Sequence, residues 1–206
     1  MLEMKKFCCW IIAVAVALGA LFVCDRTMPT PSVFLRDDAF AEVRQFLDAH
    51  PEYNQDLALI VDFNRLSMLD RMYVVDMQKH RIIFSCRSAH GMGRGSTPIT
   101  PEFSNEEGSL CSSLGFYKIA ESGKMRNGRP CLRLDGLSKT NSNARKRGIL
   151  IHPSYGVSCV PFSLPLPLPL SRASEGCFST SFRAMDRLEE FVRSSEKPII
   201  LYAFYD

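Results

Sequence analysis

Residues 149–181 read ILIHPSYGVSCVPFSLPLPLPLSRASEGCFSTS, and two of their side chains, His152 and Cys177, set the question for the whole chain. His152 ends an apolar run (Gly148, Ile149, Leu150, Ile151), and Cys177 follows Gly176 in a Ser-x-Gly-Cys turn. A thiol attacks only as the thiolate, so it needs a base or a positive neighbour, and imidazole is the usual one. Gly176 permits a sharp turn that aims successive amides, at Gly176 and Cys177, toward a developing oxyanion. Ser174 is placed to orient either that turn or the imidazole. Taken alone, a single cysteine and a single histidine are more often a buried thiol and a strand-end ring. The rest of the pattern decides between the two.

Ordered blocks extend the pattern on the amino-terminal side. They are Val61-Asp62-Phe63 with Ser67, Arg71 to Asp76, Ala89-His90-Gly91, Phe103-Ser104-Asn105, Gly108-Ser109, Ser112 to Tyr117, and Leu132 to Leu137 with Asn141 and Ala144. With a histidine after a strand and then Ser-x-Gly-Cys, the chain resembles the L,D-transpeptidase catalytic domain family, and within it the murein L,D-transpeptidase branch, over about residues 37–205. Three positions depart from that pattern. Pro153 stands where glycine is usual, Arg172 lies two residues before Ser174 rather than beside it, and Phe178 replaces a small residue or proline.

The resemblance implies a cysteine thioacyl-enzyme acting on peptidoglycan stem peptides in the cell envelope, as an L,D-transpeptidase or an L,D-carboxypeptidase. Cys177 and His152 become the catalytic pair, and Gly176 and Ser174 the oxyanion or orienting residues. Asn105, Ser112, Ser113, Tyr155 and Arg172 are candidate substrate-binding residues, and no cofactor is expected. Two other readings stand beside it: another exported cysteine peptidase or amidase using the same pair, and a wall-binding relative without turnover. The acyl acceptor, amine or water, stays open. So does the third group orienting His152, which is either Ser174 or a backbone carbonyl.

Working outward, strand and helix periods alternate along the chain. Asp37 and Asp38 are read as capping a helix with Phe40, Val43, Phe46 and Leu47 on one face, ended by His50-Pro51. Leu57–Phe63 is an apolar strand, and Arg71–Asp76 with Arg81–Cys86 reads as a hairpin around Met77–His80. His90 sits in an earlier strand with no Ser-x-Gly-Cys at family distance after it. The glycine-rich stretch after Gly91 lacks the Lys-Ser/Thr ending of a phosphate-binding loop and is read as an ordinary loop. Pro161–Leu170 alternates proline and leucine, an extended run that serves as an apolar flap or a surface connector. Phe182, Met185, Leu188, Phe191 and Val192 repeat at helical spacing before a final strand, Ile199–Tyr205. Strands dominate with helices at the two ends, so the expected fold is mainly β, a β-sandwich with peripheral helices.

Three segments are expected: 1–24 a signal peptide or membrane anchor, 25–36 a linker, and 37–206 the catalytic domain. Lys5 and Lys6 precede an uncharged apolar run from Phe7 to Cys24, the layout of an export leader and long enough for an uncleaved anchor. The expected location is the periplasm or cell envelope, with membrane contact only through that segment, and the expected state is a monomer. A net charge of +3 excludes nothing by itself but is too small to argue for nucleic acid. The charge is uneven: residues 25–76 carry five basic and ten acidic side chains, residues 77–150 thirteen basic and five acidic. Three of the eight cysteines lie in the leader, leaving Cys86, Cys111, Cys131, Cys159 and Cys177, which allows two bridges and one free thiol. Their spacing fits no Cys-x-x-Cys zinc pattern, so no metal is expected.

Overall fold

The computed structural model describes residues 36–67, 69–97, 99–158 and 174–206. The leader, the linker up to residue 35, Cys159, the Pro-Leu run and Arg172 lie outside the described residues. Among the described residues no helix is long and apolar enough to cross a membrane.

The apolar run at residues 57–62 becomes β1 (Leu57–Asp62), a central strand buried at all but its first residue. β2 (Asp70–Asp76) pairs with it antiparallel on one side, and the last strand, β8 (Ile200–Phe204), pairs parallel on the other. Such continuous apolar runs are what a strand needs when both faces of a sheet are covered. Beyond β2 lies β3 (Arg81–Arg87), joined by the expected turn, in which the Asp76 carboxylate accepts from the Gln78 and Lys79 amides at 3.2 and 2.9 Å. Beyond β8 come β4 (Gly115–Lys124), β5 (Pro130–Gly136), β6 (Leu150–Pro153) and β7 (Phe178–Thr180). The order is β3-β2-β1-β8-β4-β5-β6-β7, in one eight-stranded sheet.

Alternation along the strands divides the apolar residues between two faces. Leu59, Val61, Met72, Val74, Tyr117, Ile119, Leu132, Leu134, Ile151, Phe178 and Leu201 form one core with Met185 and Leu188 of the closing helix, α3 (Phe182–Arg193). Each such buried side chain contributes roughly 1.5–3 kcal/mol relative to exposure. Ser181 caps α3, its hydroxyl accepting from the Ala184 amide at 3.1 Å. The other face carries α1 (Asp37–Ala49), tied down by Tyr202 donating to Glu42 at 2.6 Å and by Phe46 stacked 4.1 Å from Phe116. The cap of α1 is Arg36. Asp37 and Asp38 fall instead in its first turn, where their charge suits the helix N-terminus.

The sheet does not lie open. The segment after β3 hydrogen-bonds to the segment around β7: Ala89 N–H to Ser179 O at 2.8 Å, Ser174 N–H to His90 O at 3.0 Å, and Met92 N–H to Ser174 O at 3.0 Å. Thr180 Oγ1 also donates to Arg87 O at 2.9 Å. The two ends of one curled sheet therefore meet, and the enclosed core resembles that of a sandwich.

Behind this seam Arg71, almost fully buried, donates through Nε to Ser88 O at 2.7 Å, through Nη1 to Arg65 O at 3.1 Å and through Nη2 to His90 Nδ1 at 2.8 Å. His90 Nε2–H in turn reaches Thr97 O at 2.8 Å. Burial, aided by the Arg71 charge, holds the His90 ring neutral with a pKa of about 4. His90 is thus a structural pin for the seam, and its own carbonyl receives the Ser174 amide.

Candidate active site

β6 and β7 are parallel neighbours in the register Ile151↔Phe178, His152↔Ser179 and Pro153↔Thr180. Ile151 and Phe178 point into the core, so His152 and Ser179 face the other side together. Cys177, one residue before Phe178, falls on that same side and level with Leu150.

The imidazole is held at both nitrogens. Nδ1 lies 3.2 Å from the Pro153 carbonyl, which can only accept, so Nδ1 carries the proton. Nε2 is then an acceptor, and the Ser179 hydroxyl donates to it at 3.1 Å. Burial depresses the His152 pKa, the Pro153 bond opposes that, and the Arg129 charge adds to the depression. The Cys177 sulfur is partly exposed and faces the Gly148 carbonyl at 3.7 Å. Burial raises its pKa, against the favourable pull of the Leu150 amide and of Arg147 on the thiolate. The thiol and the neutral imidazole are each bonded to a third party.

The turn carrying Cys177 is built by Ser174 and Ser112. Ser174 Oγ donates to the Cys177 carbonyl at 2.5 Å and accepts from the Gly176 amide at 3.2 Å. Ser112 Oγ donates to the Gly176 carbonyl at 3.1 Å and accepts from the Gly91 amide at 3.0 Å. Gly176 has φ 111°, and a Cβ there would lie 2.7 Å from the Cys111 carbonyl oxygen. Only glycine meets both conditions. Arg147 braces the facing loop: it donates to Ser104 O at 2.8 Å, Ser113 Oγ at 3.2 Å and Ser109 Oγ at 3.3 Å, and to Cys111 O.

Several of the residues singled out from sequence are occupied differently from the expectation. Ser174 orients the turn, and the backbone carbonyl of Pro153 is what orients His152. The Gly176 amide, expected to face an oxyanion, is engaged by Ser174 Oγ. Asn105 donates to Lys139 O at 3.2 Å and Ser142 Oγ at 3.0 Å and accepts from the Asn143 amide at 3.0 Å, so it secures a turn. Ser112 and Ser113 are buried, Ser113 receiving the Tyr117 hydroxyl at 3.0 Å. Tyr155, 62% exposed, opens α2 (Tyr155–Ser158) and faces outward against Phe182.

Ser179, Arg147 and Arg129 escaped the sequence reading. Ser179 carried a legible signal, since it stands two residues after Cys177 and a strand repeats its face every two residues. Arg147 and Arg129 were visible only as charges. The expected bridges are also absent among the described residues: Cys86, Cys111, Cys131 and Cys177 are all free. Cys86 and Cys131 are walled into the core, where burial raises the thiol pKa, for Cys86 to about 12. Among the described residues no group of three His, Cys, Asp or Glu side chains converges as a metal site would require.

The sequence profile described as the L,D-transpeptidase catalytic domain matches residues 32–203. No curated protein matches the chain. Solved structures that are similar include that titled the Ldtfm-avibactam carbamoyl enzyme, at 15% identity and TM-score 0.42, covering 74% of this chain and 50% of that one. The helical cell shape determining protein Pgp2 from Campylobacter jejuni follows at 19% and 0.42, covering 73% and 49%. Bd1075 of Bdellovibrio bacteriovorus is similar at 17% and 0.43, covering 72% and 48%. The chain spans about half the length of these solved structures.

Proposed function

The chain belongs to the L,D-transpeptidase catalytic domain family, and on that premise we propose that it is a peptidoglycan L,D-transpeptidase or L,D-carboxypeptidase working through a Cys177 thioester. The observation that supports this is the register that sets His152 of β6 opposite Ser179 of β7, with Cys177 in the turn that leads directly into β7. The imidazole proton sits on Nδ1 against Pro153, and Nε2 is presented as a base.

The chemistry follows from that arrangement. The Cys177 proton passes to Nε2 of His152 once the ring exchanges Ser179 for the thiol. The thiolate attacks the carbonyl between the third residue of a stem peptide and its terminal D-alanine, forming the C–S bond. As the C–N bond breaks, His152 returns the proton to the departing amine. The thioester then passes to the amine of a second stem, or to water, and regenerates the thiol. The His152 pKa, kept low by burial, leaves the base unprotonated at neutral pH. The Gly176 amide already serves the turn. The apolar run Phe7–Cys24 supports action in the envelope.

Incubating the full chain and its Cys177→Ala variant with purified tetrapeptide muropeptides, followed by mass spectrometry, tests the reading. Dimers or tripeptides are expected from the wild type and neither from the variant; persistent conversion by Cys177→Ala rules the mechanism out. A second reading, a wall-binding relative without turnover, is favoured by one observation, that thiol and imidazole are each bonded elsewhere. It predicts muropeptide binding, no product and no acylated Cys177.

A further inference from the structure

A second group stands next to the pair, beyond the ends of the strands that carry it. Cys177 is level with Leu150 and Ser179 with His152. Two residues past Pro153, Tyr155 opens α2, and two residues past Thr180, Phe182 opens α3. Their rings lie 4.8 Å apart. Onto them folds Arg129 from the β4–β5 turn, which Met125 closes by donating to Arg129 O at 2.8 Å. The guanidinium carbon lies 4.7 Å from the Tyr155 centroid and 5.7 Å from that of Phe182.

Arg129 combines this stacking with guanidinium donors that, among the described residues, are unspent. Arg147 gives its N–H groups to carbonyls and hydroxyls, Arg145 to Asp135 and Glu121, and Arg71 to Ser88, Arg65 and His90. Among the described residues the Arg129 guanidinium has no carboxylate, carbonyl or hydroxyl partner; the two rings are its contacts. Stacking fixes the plane of a guanidinium while leaving the edge that receives a carboxylate in bidentate fashion free.

We propose that Arg129, held by Tyr155 and Phe182, binds the free α-carboxylate of the residue that departs from the acyl donor, and so selects donors cleaved at their last peptide bond. The inference rests on the function proposed above. The amine that His152 protonates and the α-carboxylate of the same terminal residue are separated by a single carbon. A cation just past the histidine therefore meets that carboxylate only when the departing group is one amino acid with a free end. A departing dipeptide puts its charge farther out, and a terminal carboxamide has none. The field of Arg129 at the imidazole, which lowers the His152 pKa, agrees with this proximity.

The test compares two synthetic tetrapeptide stems, one ending in D-alanine and one in D-alaninamide, with the full-length wild type and the Arg129→Gln and Arg129→Lys variants. The wild type is expected to favour the free acid by at least about tenfold in kcat/KM, the scale of a charge-assisted bond. Arg129→Gln should lower kcat/KM on the free acid much more than on the amide, bringing the two stems together, and Arg129→Lys should recover part of the difference. Equal use of both stems by the wild type, or an equal loss on both in Arg129→Gln, overturns the inference while leaving the proposed function standing. If the wild type converts neither stem and Cys177 is never acylated, the function itself fails and the inference falls with it.

Discussion

The Ser179 hydroxyl lies 3.1 Å from Nε2 of His152, in the position that the proton-accepting nitrogen must offer to the nucleophile. Cys177 immediately precedes β7, two residues before Ser179, and under the proposed mechanism its thiol has to take the lone pair that Ser179 now occupies. The histidine is oriented from behind by Pro153 O and is held in reserve from in front by Ser179. Under the proposed mechanism the thiol must displace a hydrogen bond of ordinary strength, worth about 0.5–1.5 kcal/mol.

Ser179→Ala removes the competitor. Alkylation of Cys177 by iodoacetamide at neutral pH, followed by intact-mass spectrometry, is expected to accelerate by roughly two- to tenfold, the equivalent of that bond. Adding His152→Ala should abolish the gain. An unchanged or slower rate in Ser179→Ala would mean that Ser179 supports the base instead of occupying it.

Gly176→Ala meets two obstacles at once, a φ of 111° and a Cβ 2.7 Å from the Cys111 carbonyl oxygen. The expected cost is about 2 kcal/mol or more, with loss of Cys177 reactivity because the turn cannot keep its path. Urea midpoints and the alkylation rate measure the two effects; a variant as stable and as reactive as wild type contradicts the geometry.

Arg147 joins Ser104, Ser109, Cys111 and Ser113 through one fork and adds a positive charge that favours the Cys177 thiolate. Arg147→Met strands buried acceptors and should cost about 1–3 kcal/mol. It should also move the pH dependence of Cys177 alkylation upward, which a purely structural brace would not do. Arg147→Lys should restore part of the charge effect and little of the stability, since an ammonium lacks the fork.

His90 makes the fold acid-sensitive. Its folded pKa is about 4, below the value of about 6.5 expected in the unfolded chain, so the unfolded state takes the proton first. This contribution to stability is complete above about pH 6.5 and is lost as the pH falls toward 4. His90→Gln keeps an acceptor for Arg71 and a donor for Thr97 but does not titrate. Between about pH 7 and pH 4 the wild type should lose on the order of 3 kcal/mol more than this variant, read from urea midpoints. Parallel losses would show that His90 is not the sensor.

Much of this protein was legible in its sequence because the signals are local. The period-2 runs became β1, β2 and β8, the helical spacing of Phe182, Met185 and Leu188 became α3, and Ser-x-Gly-Cys became a glycine turn closed by its own serine. Each depends on residues a few positions apart, whose backbone preferences and apolar faces act before any distant contact forms. The tertiary structure alone decided what lies across from what. Nothing local pairs β1 with β8, joins residues 89–92 to Ser174 and Ser179, or sets His152 opposite Ser179 instead of Cys177. The same holds for the Asn105 amide and the Ser112 and Ser113 hydroxyls, read as candidate substrate-binding groups and found bonded within the fold, and for the cysteines, whose number allowed two bridges and which are free where described. A side chain's partner is set by the register of strands distant in sequence, and register is chosen by the burial of the whole core.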